Sequence, residues 1–183
     1  VSQEYLDYAA ENELNTLVDF GILRNAFLCD AAADALSARG YCRGVVSSLD
    51  GYARNLSSEK FAVNLFDRVD GTVTALGSVT YTAPAALVIC RAFPASAQEQ
   101  TRFYTYADGT VVAPYLSASG LPSAAAPNLV TLSHENSVAT LALRTIQAYT
   151  EADPSFPTLT SNSWASAQNG EIITHGTDFQ PVQ

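Results

Sequence analysis

A chain of 183 residues with nine bases, eighteen acids and a formal net charge of −9 lacks the clustered Lys and Arg that phosphate neutralisation needs. That excludes a nucleic-acid partner and disfavours an anionic membrane surface. Apolar residues make up 48% and charged residues 15%, so the chain folds as one domain yet is short of surface charge, a composition that favours association.

The bases are uneven, with only Arg102 and Arg144 beyond Arg91. No window reaches the roughly 20 apolar residues of a membrane span, because Glu4, Asp7, Glu11, Glu13 and Asp19 punctuate the start. From Leu6 to about Leu36 the positions Ala10, Leu14, Leu17, Gly21, Leu28, Ala32 and Ala35 step by three, four or seven, which predicts one long amphipathic helix. Arg39 and Gly40 are suited to close it. A second helix is expected over about Arg43 to Leu56. Asn55-Leu56-Ser57 matches a glycosylation sequon, a pattern so short that it arises by chance.

Alternation then changes to period two. Phe61, Val63 and Leu65 alternate with Ala62, Asn64 and Phe66, Asp67 to Gly71 supplies a turn, and Thr72 to Thr82 resumes the alternation, giving the strongest hairpin signal in the chain. Ala86 to Phe93 reads as a buried strand, and Thr101 to Tyr115 as a second hairpin around Asp108-Gly109. Ser117 to Asn128 has loop composition. Asn136 to Ala152 returns to helical periodicity and ends at Asp153-Pro154. The expectation is an α+β fold: a long N-terminal helix, a second helix, an antiparallel sheet of about five strands and one later helix in residues 1–156. Residues 157–183 read as an extended polar tail or arm.

Little in the sequence points to chemistry. Ser133, His134 and Glu135 are successive residues, and adjacent side chains do not converge as nucleophile, base and orienting acid must. They read instead as entry to the following helix, with Ser133 as N-cap, and His175 reads as an exposed loop residue. Asp30 and Asp34, one helical turn apart, read as a solvated face, and Asp67 and Asp70 as turn formers rather than calcium ligands. There is no phosphate-binding glycine motif. Cys29, Cys42 and Cys90 lack metal-ligand spacing; one disulfide, Cys29 to Cys42, is open to the sequence, as is a set of free thiols. No cofactor is expected.

The candidate contact residues are therefore Leu14 and Leu17 on the helical stripe, the tyrosines Tyr104 and Tyr106 on one face of the second hairpin, and Trp164 and Phe179 in the tail. Together they point to a non-enzymatic structural or assembly subunit, such as a virion, pilus-like or secretion-apparatus component. Its partners would be further copies of itself or other protein subunits, in an extracellular, cell-surface or virion setting. The alternative is an extracytoplasmic sensory or ligand-binding domain. Asp19-Phe20-Gly21, Arg24-Asn25-Ala26 and Ala31-Ala32-Ala33-Asp34-Ala35 resemble the segment that leaves the membrane in Tad-type pseudopilins. The likeness is confined to this short string, and acids stand where a membrane helix should end; what it implies is assembly.

Overall fold

The computed structural model describes residues 21–135, 137–159 and 162–182, together with residues 3, 7, 10 and 11. Among the continuously described residues two α-helices, α1 (Arg24–Ala38) and α2 (Val138–Thr150), accompany eleven strands. These are β1 (Val45–Ser47), β2 (Tyr52–Asn55), β3 (Lys60–Val69), β4 (Thr72–Thr82), β5 (Ala85–Arg91), β6 (Tyr104–Thr105), β7 (Val111–Val112), β8 (Asn128–Ser133), β9 (Ser163–Gln168), β10 (Glu171–His175) and β11 (Gln180–Val182). Six of them form one antiparallel sheet in the order β1-β2-β5-β8-β9-β10, three more form a sheet in the order β11-β4-β3, and β6 pairs with β7.

The long sheet is the middle layer. Along β5, Ala86, Val88 and Cys90 pack with α1 and α2 on one face, while Ala85 and Leu87 pack with Leu65, Val79, Tyr81 and Phe179 on the other. β8 divides in the same way: Leu129 belongs to the helical side, Val130 and Leu132 to the small sheet. Strands buried on both faces read as near-continuous apolar runs, and they need a covering layer on each side.

A buried amide side chain bridges the two sheets. A bulge between Leu65 and Phe66 breaks the β3–β4 register, and the Phe66 amide donates to Asn128 Oδ1 at 3.1 Å. Asn128 Nδ2 in turn donates to the Cys90 carbonyl at 3.1 Å. A fully buried amide is tolerable because both of its ends are satisfied.

On the opposite face, Asp30 of α1 accepts from the Val138 and Ala139 amides at 2.8 and 2.9 Å, capping the first turn of α2 from another helix. Arg54 of β2 stands 3.6 Å from the same carboxylate. Ser137, not Ser133, is the N-cap, accepting from the Thr140 amide at 3.1 Å. Ser133 lies in β8.

These observations correct the expected fold. The chain is mostly β-sheet, in three sheets rather than one of about five strands; of the helix that the sequence spacing extends from Leu6 to Leu36, α1 is the part within the continuously described residues, preceded by a 3₁₀ turn at Gly21–Leu23, and most of the stretch before residue 21 lies outside the described residues. Its buried residues are Ala26, Cys29 and Ala33, whereas Leu28, Ala32 and Ala35 of the predicted stripe are exposed. The second helix does not exist: residues 43–56 form β1, a turn and β2. Gly51 at φ 88° lets this turn dock on β5, where a Cβ would collide with the Ile89 carbonyl. Its carbonyl accepts from the Ile89 amide at 2.8 Å.

The C-terminal segment is built into the sheets. β9 lies between β8 and β10, β11 pairs with β4, and Trp164 and Phe179 are buried. The sequon is internal as well, with Asn55 and Ser57 buried and Asn55 Nδ2 donating to the Tyr81 hydroxyl. All three cysteines are free thiols, Cys29 and Cys90 buried and Cys42 exposed, so the Cys29–Cys42 bridge is not formed.

Two outcomes are expected. Asp30→Ala, which leaves two helix-terminal amides without their acceptor, should lower stability by about 2 kcal/mol, read as a shifted urea midpoint. Burial, partly opposed by a hydrogen bond with Tyr115, pushes the Cys90 thiol from its ordinary 9.0 up to about 12. The folded protein therefore keeps a proton that the unfolded chain releases. This contribution to stability is whole below pH 9 and is lost as the pH rises toward 12. A thiol reagent at neutral pH should label Cys42 rapidly, and Cys29 and Cys90 only on denaturation.

Candidate functional site

Three surface features bear on function. The first is the outer face of α1. The helix has few charged residues: Arg24 and Asp34 are exposed, and Asp30 is engaged with α2. Phe27 and Leu28 are 56% and 58% exposed, beside the exposed alanines Ala31, Ala32, Ala35 and Ala38. Helices apolar on both faces are ordinarily covered on both. A shallow groove next to this face runs between Leu28 and Ala32 of α1 and Val46 and Leu49 of the β1–β2 segment. Leu14 and Leu17 lie outside the described residues.

The second is the β6–β7 hairpin, where Tyr104 and Tyr106 are 64% and 51% exposed with ring centroids 4.8 Å apart at 83°. Here the structure does bring two predicted contact residues together at the surface. Trp164 and Phe179 behave differently: Trp164 packs edge-on to Phe156 and stacks on His175 at 5.4 Å, and Phe179 packs edge-on to Tyr81. Both are consumed by the protein's own core.

The third is a polar cleft at one end of the long sheet. β8 ends, β9 begins and β10 ends side by side, because Leu132 pairs with Ser163 and Trp164 with His175. His134 follows β8, and its Nδ1 lies 2.8 Å from the Pro84 carbonyl, which can only accept, so Nδ1 carries the proton. Nε2 faces Asp178 Oδ1 at 3.6 Å, and Ser163 Oγ donates to Asp178 Oδ2 at 2.7 Å.

The order of contacts decides the chemistry. In a nucleophilic triad the hydroxyl must reach the imidazole, which an acid orients from behind. Here Asp178 stands between Ser163 and His134 and takes the hydroxyl proton's hydrogen bond itself. The three residues are not arranged as a nucleophile–base relay. Among the described residues no group of three or more His, Cys, Asp or Glu is arranged to hold a metal ion, and no helix is long and apolar enough to cross a membrane.

Sequence reasoning singled out His134 and His175 but not Asn162, Ser163 or Asp178, which lie in segments read as tail. Gly176, directly after His175, was the available signal of a turn. Comparison with family models, curated proteins and solved structures finds no match for this chain.

Gly176 has φ 81°, and a Cβ there would clash with Ser163 Oγ. Gly176→Ala is expected to break the Ser163–Asp178 bond and destabilise the protein by about 1–3 kcal/mol, read by thermal and urea unfolding. An unchanged midpoint would mean that the turn adjusts without loss.

Proposed function

We propose that this protein is a non-enzymatic assembly subunit that works through protein–protein contacts, and that the outer face of α1 joins it to a second copy of itself. The observation that carries this reading is the apolar, charge-poor character of the α1 face that, among the described residues, no other element covers. Alanine at positions 31, 35 and 38 keeps this face low, so that two helix backbones can approach closely.

Charge complementarity favours the second copy as occupant. Arg24 and Asp34 are exposed and stand at equal distances along the chain from Cys29. Two α1 helices crossing antiparallel about that level place Arg24 of each near Asp34 of the other, the self-complementary arrangement of a two-fold interface. Phe27 and Leu28 supply the apolar centre that such an interface needs.

Light scattering coupled to size exclusion, over a range of concentrations, tests this. The wild type should move from monomer to dimer as concentration rises, and Leu28→Asp should remain monomeric while keeping its circular dichroism, since this side chain is exposed in the monomer. Arg24→Asp should weaken the dimer and Arg24→Asp with Asp34→Arg should restore it. A wild type that stays monomeric at millimolar concentration would end the proposal.

A further inference from the structure

The turn between β9 and β10 carries a chemically labile pair of residues. Gln168 and Glu171 face each other across it, so Asn169 and Gly170 alone make the connection, with φ of 52° and 79°. Both are exposed, and a Cβ at position 170 would meet nothing within 4 Å, so nothing crowds that side of the turn. Asn169 also lines a groove of about 310 Å³ that opens to solvent, which gives water access to its side chain.

An Asn followed by glycine has a route to loss of its side-chain amide, because the glycine nitrogen has no flanking Cβ to hinder it. The Gly170 nitrogen gives up its proton to solvent base and attacks Asn169 Cγ. The N–Cγ bond forms, the Cγ–Nδ2 bond breaks, and Nδ2 leaves as ammonia with a proton from solvent. Water then opens the cyclic imide at either carbonyl, leaving aspartate or the isomer in which the main chain runs through the side chain. In sum, a water is consumed and an ammonia released.

The fold opposes the first step at a single atom. The Gly170 amide donates to Asp67 Oδ2 at 3.1 Å, while Asp67 Oδ1 accepts from the Arg68 amide at 2.7 Å. Asp67 belongs to β3, in the other sheet, and is 8% exposed, so its carboxylate is held in place. Ring closure needs the peptide plane between Asn169 and Gly170 to turn its nitrogen toward Cγ, and the hydrogen bond pins that plane. A carboxylate at the nitrogen also disfavours the anion that must form there. We propose that Asn169–Gly170 is a deamidation site held closed in the folded protein by Asp67. The site lies apart from α1 and stands or falls independently of self-association through that helix.

Incubation of the full-length chain at mildly alkaline pH, followed by peptide mapping with mass spectrometry, tests it. The readout is the rate at which aspartate and isoaspartate appear at position 169. The folded wild type should react much more slowly than the chain unfolded in guanidinium chloride. Asp67→Ala should speed the folded protein roughly tenfold or more, the loss of a charge-assisted hydrogen bond. Asp30→Ala is the control: it lowers stability in the helical layer and leaves Asp67 in place, so its rate should match the wild type.

If Asp67→Ala does not keep a native circular dichroism, Asp67→Asn, which preserves the shape and removes the charge, is scored in its place. An Asp67 variant no faster than the wild type overturns the proposal. So does equal acceleration in Asp30→Ala, which would make global unfolding the route, or a folded wild type as fast as the unfolded chain.

Discussion

Burial of β5 and β8 on both faces is the constraint from which the rest of the architecture follows. Their amides and carbonyls are paired along both strand edges by β2 and β9 and by each other, so the backbone is satisfied in the interior. Their side chains are not. Leu87, Val130 and Leu132 project one way and Val88, Cys90 and Leu129 the other, and each set must be removed from water. The small sheet and the helical pair are the two solutions. The helices cover the face on which β8 offers Thr131, whose hydroxyl meets that of Thr145 at 2.7 Å.

Each covering layer is pinned by a polar contact whose direction apolar packing could not specify. Asn128 accepts the amide that the Leu65/Phe66 bulge frees, which sets the small sheet against the long one in a single register. Asp30 caps α2 from α1 and faces Arg54, which sets both helices against β2. The negative carboxylate also meets the positive end of the α2 dipole. A further half-buried pair, Arg91 with Glu99, closes the end of β5, with the guanidinium over the Phe66 ring at 5.2 Å.

The helical layer explains how one element can be both core and contact surface. α1 lies close to the sheet through small residues, Ala26, Cys29 and Ala33, so its larger side chains Phe27 and Leu28 are turned outward. At the far end of the sheet the cleft arises for a different reason. Two strands end there beside the start of a third, and the turn after β10 is tied to the first residue of β9 by the Ser163–Asp178 hydrogen bond. Neither feature belongs to the doubly covered centre, and each lies where a layer ends or thins.

Local chemistry was sufficient for some of this. The Asp70-Gly71 turn, with φ of 49° and 79°, and the alternation flanking it specify the β3–β4 hairpin without help from the rest of the chain. Val138, Leu141, Leu143, Ile146 and Tyr149 made α2 legible, and of these Val138, Leu141 and Tyr149 are buried. In α1 the periodicity was present but its direction was not, because an alanine-rich helix offers two similar faces and only the approach of β2 chooses between them. Residues 43–56 read as helix although Val45, Val46 and the Asp50-Gly51 turn pull toward strands; pairing with β5 resolves that competition. Trp164 and Phe179 looked solitary in a polar background, yet β9 is polar because Ser163 and Ser166 are matched by Asp178 and by the sheet rather than by water. What the sequence determined by itself was the set of turns and periods that depend on neighbours a few residues away. Which faces are buried, and which side chains meet at the cleft, rest on contacts across tens of residues, and only the tertiary structure could decide them.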